Sequence, residues 1–237
     1  MRAFKVLAAA WVCGIAMTAA AHAADPAETW RPEFKKPHYT DLISGWYVRV
    51  DGAYRTNSIR SVDAPAPNNV TAWSIHDTWA VGAGAGYKYK WFRSDVTLDF
   101  AKRAQFYGDT AATSQFYSVK IDALTILANV YLDMGTWAGL TPYVGAGAGM
   151  TNLRTHEFTT TPNWEGVVDG SKWNPSWAAM GGVSYQFSPT LLLDVSYRYL
   201  KMGDAVSGTL PPTHTTRVTF RDMTAQEIRV GLRLMLD

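Results

Sequence analysis

Apolar side chains in this sequence fall on every second position, in one segment after another. Trp46, Val48, Val50, Gly52 and Tyr54 interleave with Tyr47, Arg49, Asp51, Ala53 and Arg55. Trp79, Val81, Ala83, Ala85, Tyr87 and Tyr89 interleave with Ala80, Gly82, Gly84, Gly86 and Lys88, and Phe92, Val96, Leu98 and Phe100 with Arg93, Asp95, Thr97 and Asp99. The pattern returns at 143–150, where Val144 to Met150 alternate with glycines, and again at 176–187, 191–199 and 227–236. Side chains on a strand alternate between its faces, so each segment has one apolar face and one polar or glycine face. Segment 117–133 is less regular. Leu124, Ile126, Ala128, Val130 and Leu132 alternate cleanly, but Val119 and Ile121 fall on the other parity, beside Lys120 and Asp122. Either a β-bulge near Asp122 shifts the phase, or the strand projects beyond the membrane there. With this segment the count is eight strands.

The connections alternate in length. Tyr89-Lys90-Trp91 and Ser188-Pro189-Thr190 are tight and 134–140 is modest, whereas 56–78, 101–116, 152–175 and 201–223 are long and polar. An even number of roughly ten-residue strands joined this way predicts an all-β fold: an eight-stranded antiparallel up-and-down transmembrane β-barrel with short periplasmic turns and four long extracellular loops. Closure matters because hydrocarbon offers unpaired backbone groups no partner. Tyr87, Tyr89, Trp91 and Phe187 near the short turns, and Trp79, Phe100, Trp177 and Tyr199 toward the long loops, would form two aromatic girdles. Composition agrees. Hydrophobic residues reach 47% and aromatics 13%, while charged residues are only 18%, below the roughly 25% usual for soluble domains. A mean hydropathy of −0.12, with no run of 18 apolar residues after residue 23, excludes a bundle of membrane helices. A soluble sandwich or lipocalin-like barrel would share the alternation. It would have to expose the glycine rows and bury the large aromatics, the reverse of what the polar positions favour.

Residues 1–23 have the three parts of a secretory signal: basic Arg2 and Lys5, an apolar stretch 6–20, and small residues Ala21 and Ala23 at −3 and −1. Cleavage there removes Cys13, the single cysteine, and leaves a chain with no disulfide. It also takes the formal charge from +2 to 0, since Arg2 and Lys5 are lost and no acid goes with them. A neutral mature chain gives no reason to expect nucleic acid as a partner. Residues 24–44, with Pro26, Pro32 and Pro37 among charges, read as a periplasmic segment, and 45–237 as the barrel.

Eight strands enclose a space just wide enough for side chains. The faces turned inward would carry Arg49, Asp51, Arg93, Asp95, Asp99, Asp194, Arg198, Glu227, Arg229 and Arg233, five arginines and five carboxylates. Desolvating one such charge alone costs several kcal/mol, so the set is expected to be a structural lumen network of Arg–carboxylate pairs. An ion path is the alternative reading. Gly82, Gly84 and Gly86, with Gly145, Gly147 and Gly149, leave room opposite the long side chains. They do not make a dinucleotide loop, because Tyr87 and Met150 stand where the sixth-position glycine belongs and a strand continues where a helix should begin.

The runs Trp79 to Tyr89, Thr141 to Gly149, Val183 to Pro189 and Leu193 to Tyr199 resemble the opacity-protein-like surface-antigen barrels of alphaproteobacteria, related in architecture to the OmpA transmembrane domain. The resemblance covers about residue 45 to the end and is weak in the loops. It implies a monomeric eight-stranded barrel with roles as surface antigen, in adhesion and in envelope integrity, with haem binding in some members. The C-terminus departs from the pattern: it ends Leu234-Met235-Leu236-Asp237 instead of in an aromatic residue, which puts efficient insertion in question.

The functional expectation is a non-enzymatic surface protein. Its partners would be outer-membrane lipid, lipopolysaccharide and a surface ligand held by loops bearing Trp73, Phe158, Trp164 and Trp173. No cofactor, metal or catalytic residue is assigned. Alternatives are a narrow pore, haem capture by His156 with Tyr107 or Tyr117, and a lipid A-modifying enzyme using His76, His156 or His214 with Ser74, Asp77, Glu157 or Asp169. No spacing places a base on a nucleophile with an orienting carboxylate, as the enzyme would need.

Overall fold

The computed structural model describes residues 44–64, 70–110, 116–161, 169–208 and 217–236. The expected leader with Cys13, nearly all of the expected periplasmic segment, His214 and Trp164 lie outside them. Ten strands run in order: β1 Gly45–Ser58, β2 Ser61–Asp63, β3 Val70–Ile75, β4 Thr78–Tyr89, β5 Phe92–Thr110, β6 Phe116–Asp133, β7 Leu140–Thr161, β8 Gly170–Gln186, β9 Leu191–Val206 and β10 Thr219–Met235. Eight of them, β1 and β4 through β10, each pair antiparallel with the next, and β1 closes on β10 through a register running from Tyr47 opposite Met235 to Ser58 opposite Thr224. The fold is a closed eight-stranded antiparallel barrel. The two short strands sit inside the expected first loop, β2 on the start of β10 and β3 on the end of β5.

Alternation becomes inside and outside as the sequence reading requires. Val50, Val81, Val96 and Val230 are 50–63% exposed on the outer wall, while Arg93, Asp99 and Glu227 are 0% exposed within it. The glycine rows lie on the inner side, against the long side chains. A Cβ on Gly82 would lie 2.2 Å from Asp99 Oδ1, and one on Gly147 would lie 2.0 Å from Asn129 Oδ1.

The strand ends correct the sequence reading. β5, β7, β8 and β10 run 17–22 residues, and roughly ten suffice to cross hydrocarbon. Much of the expected loops 101–116, 152–175 and 201–223 is therefore strand, and Phe100, Trp177 and Tyr199 lie within strands. The reason is a change in what the interior holds. Above Ala101 and Ala123 the inward side chains become Ala104, Phe106, Val119, Ile121, Leu153, Leu200, Met202, Ala205, Phe220 and Met223, one contiguous buried apolar cluster. Phe106 and Phe220 meet edge to face there at 4.8 Å. Below that plane the wall is greasy outside and polar inside; above it the arrangement is that of a soluble barrel.

The same change resolves the irregular segment. In β6 the inward residues are Val119, Ile121, Ala123, Thr125, Leu127, Asn129 and Tyr131, all of one parity. The strand projects, and its phase does not shift at Asp122. The bulge lies on the neighbouring strand instead, where Lys102 and Arg103 of β5 interrupt the register between Ala101 and Ala104. Arg103 has φ 63°, a left-handed conformation unusual for a non-glycine residue, and its backbone N–H donates to Asp122 Oδ1 at 2.8 Å.

Candidate functional site

The ten inward charges named from the sequence all lie buried in the lumen, in three levels. Nearest the short turns, Arg93 Nε bonds Asp133 Oδ1 at 2.9 Å while its guanidinium lies over the rings of Tyr131 and Tyr143 at 4.6 and 4.5 Å. Lys88 holds the other Asp133 oxygen at 2.9 Å, and Arg233 donates to Asp194 at 3.0 Å and to Ser184 at 2.8 Å. In the middle, Arg49 reaches Asp51 and Asp95 at 3.3 Å each. Asp95 also accepts from Tyr47 at 3.0 Å and from Asn129 at 2.8 Å. On the third level Arg198 bonds Asp99 at 2.8 Å and Glu227 at 2.6 Å, and Arg229 bonds Asp51, Asp99 and Glu227. Arg55 bonds Glu227 at 2.6 Å and donates to Met202 Sδ at 3.8 Å, where the apolar cluster begins.

Three members were not included in the sequence-derived set: Arg55, Lys88 and Asp133. They stand on the correct parity but near strand ends, where a charge could equally reach water. Only the folded side chains show that Asp133 reaches both Lys88 and Arg93. With them the described lumen holds seven cations and six carboxylates. Each of these buried charges has an opposite partner, as burial requires, although guanidinium N–H groups of Arg55, Arg93, Arg198 and Arg233 and one Asp194 oxygen have no hydrogen-bond partner among the described residues. The interlocked pairs also leave little room: a cavity between Arg49, Asp51, Asn129, Arg198 and Arg229 measures about 10 Å³, at the lower limit for a single water molecule.

The alternative chemistries find less support. His156 and Glu157 belong to β7, and Tyr107 to β5, instead of to loops. His156 Nδ1 lies 2.9 Å from Asp169 and its Nε2 3.8 Å from Asp122, so both ring nitrogens face carboxylates and no hydroxyl stands at either among the described residues. Tyr107 packs edge to face on His76 at 5.3 Å, and Asp77 accepts from Tyr54 at 2.9 Å. The side chains of Tyr117 and Phe158 lie outside the described residues. Trp73 is 37% exposed and donates to the Ile59 carbonyl at 3.3 Å, and Trp173 is 48% exposed.

Comparison with known proteins places this architecture. The family model for the outer membrane protein beta-barrel domain matches residues 9–235. An uncharacterized protein of Brucella abortus is 29% identical over 82% of this chain and 80% of its own. The outer membrane protein PagN of Salmonella typhimurium is 30% identical over a shorter stretch, 33% of this chain and 34% of its own. Among solved structures, OprG of Pseudomonas aeruginosa aligns with a TM-score of 0.54 at 16% identity, covering 81% of this chain and 97% of that one. Neisserial surface protein A gives 0.51 at 20% identity, covering 81% and 98%. At these identities the structural likeness speaks for the fold. The family match, the closed barrel and the lipid-facing band together show that this chain belongs to the outer-membrane β-barrel protein family and resides in the outer membrane.

Proposed function

We propose that this protein is a non-enzymatic, monomeric barrel with a sealed lumen, which supports envelope integrity and meets its surroundings through its outer wall and extracellular loops. Outer-membrane lipid, lipopolysaccharide and a surface ligand are its partners in this reading; nucleic acid is not. The observation that carries it is the filled interior. Seven cations and six carboxylates interlock below an apolar cluster, so charged and greasy layers seal the same passage in series. An ion would have to break pairs in one layer and lose its hydration in the other. A rigid closed wall then leaves the loops and outer face to carry function. The test is conductance of the purified protein in planar bilayers, together with fatty-acid release from liposomes containing lipopolysaccharide. Absence of steady conductance steps and of released fatty acid is expected. Large sustained steps would refute the sealed lumen, and turnover of lipid A acyl chains would refute the non-enzymatic reading.

A further inference from the structure

The outer wall carries a second organised cluster, where β5, β6 and β7 leave the apolar band. The register runs Phe100–Leu124–Asn152, then Ala101–Ala123–Leu153, and next the bulge residues Lys102 and Arg103 beside Asp122 and Arg154. At about 3.3 Å per residue, these cations stand roughly 7–10 Å beyond Phe100, the last lipid-facing residue of β5. Lys102, Arg103 and Arg154 are exposed.

Two features separate them from ordinary solvated charges. Elsewhere on the outer wall at this height the cations have carboxylate partners: Lys120 with Glu157, Lys172 with Asp204, Lys201 and Arg60 with Asp222, and Arg221 with Asp63. Among the described residues, Lys102, Arg103 and Arg154 form no ion pair, although Arg103 lies within electrostatic reach of the Glu157 carboxylate that Lys120 holds. The Arg154 guanidinium is aimed by a bond from its Nε to Asn152 Oδ1 at 3.0 Å. The second feature is the bulge itself. A left-handed non-glycine residue is unfavourable by about 1–2 kcal/mol, and the Asp122 carboxylate holds it in place. Its effect is to set two consecutive side chains, Lys102 and Arg103, on the outer side. Strained bulges of this kind re-aim side chains, and here both are cations at the boundary of the lipid band.

We propose that Lys102, Arg103 and Arg154 form a binding site on the outer wall for the phosphate headgroup of an outer-leaflet glycolipid. Two guanidinium forks and an ammonium suit a phosphate, and the apolar side chains of Phe100, Leu98 and Ile126 directly below suit its acyl chains. The inference deepens the lipid-partner reading above and rests on that part of it alone; the sealed lumen is independent of it.

The test compares the wild type, K102Q/R103Q/R154Q, and the control R60Q/K201Q/R221Q on the opposite wall. Each is titrated in phosphatidylcholine nanodiscs with bisphosphorylated lipid A and with its dephosphorylated form, and barrel folding is checked by heat-modifiable gel mobility. Affinity of the site variant for bisphosphorylated lipid A should fall about tenfold or more, given the strength of charged hydrogen bonds. The control should match the wild type, and dephosphorylation should abolish the difference. Unchanged affinity in the site variant, equal losses in both variants, or displacement of lipid A by millimolar inorganic phosphate would each overturn the proposal. Failure of the wild type to bind lipid A would remove the lipid partner as well, while leaving the conductance test of the lumen untouched.

Discussion

Glu227 is the residue on which the lumen network most depends, and Glu227→Gln is the sharpest test of it. Its carboxylate receives Arg55 at 2.6 Å, Arg198 at 2.6 Å and Arg229 at 2.8 Å, and it is fully buried. Arg198 and Arg229 share Asp99, and Arg229 also reaches Asp51. Arg55 forms no other ion pair among the described residues. At an effective dielectric near 20, one pair at about 4 Å charge separation contributes about 4 kcal/mol. Three such pairs give a gross attraction of about 12 kcal/mol. Neutralising Glu227 also removes that carboxylate's own desolvation penalty, several kcal/mol, and the net loss for breaking a buried pair is typically about 3–5 kcal/mol. Glutamine keeps the shape, so packing contributes little. We expect E227Q to lose about 3–5 kcal/mol in reversible urea unfolding in lipid vesicles, with an unchanged denaturant slope. The double variant R55M/E227Q should recover a substantial part, because the stranded guanidinium goes with the carboxylate. A loss below about 1 kcal/mol would mean that Arg55 finds water, and the lumen would then not be the closed polar layer argued above. Failure of the double variant to recover would place the cost in packing instead of in charge.

Other outcomes follow from the same geometry. A Cβ on Gly86 would meet the Ser94 carbonyl oxygen at 2.2 Å and the Tyr47 ring at 2.8 Å, whereas one on Gly52 meets nothing within 4 Å. By urea unfolding, G86A should therefore cost about 1–3 kcal/mol and G52A should be neutral or slightly stabilising. Val96→Arg places a charge on the lipid-facing wall and should destabilise by about 2–4 kcal/mol in a bilayer of matched thickness; a negligible cost would contradict the assigned lipid face. In β10, where the register with β9 slips between Phe220 and Met223, the Lys201 ammonium, with Arg60 behind it, holds the Asp222 carboxyl below the usual carboxylate range. A depressed carboxylate stabilises fully above its unfolded value of about 3.9, and that support is lost as pH falls through the lower folded value. Amide exchange around Asp222, corrected for intrinsic rates, should therefore accelerate at pH 3 relative to pH 6, and D222N should flatten the difference.

The barrel was legible in the sequence because one face of each strand must satisfy lipid while the other must satisfy a crowded interior. That contrast is sharp at Val96, Leu98 and Phe100 against Asp95, Thr97 and Asp99. The top of the barrel was not legible, and β6 shows why. Hydrophobicity reports the solvent on each side of the wall, not the direction of a side chain. Where the outside changes from lipid to water, the apolar residues move to the inner face without any change of backbone phase. Val119 and Ile121 thus look out of step with Ile126 and Val130 while the strand runs straight on. The lumen partners were legible as a set but not as pairs. Arg55 and Glu227 are 172 positions apart in the chain and meet only through the closure of β1 on β10. Pairing of that kind depends on strand stagger, which alternation does not encode. The β5 bulge falls at the same level as this change of interior. Lys102 and Arg103 occupy the level at which the interior turns from charged to apolar, so the extra residue on β5 leaves Ala101 and Ala104 both facing inward and both cations facing the boundary of the lipid.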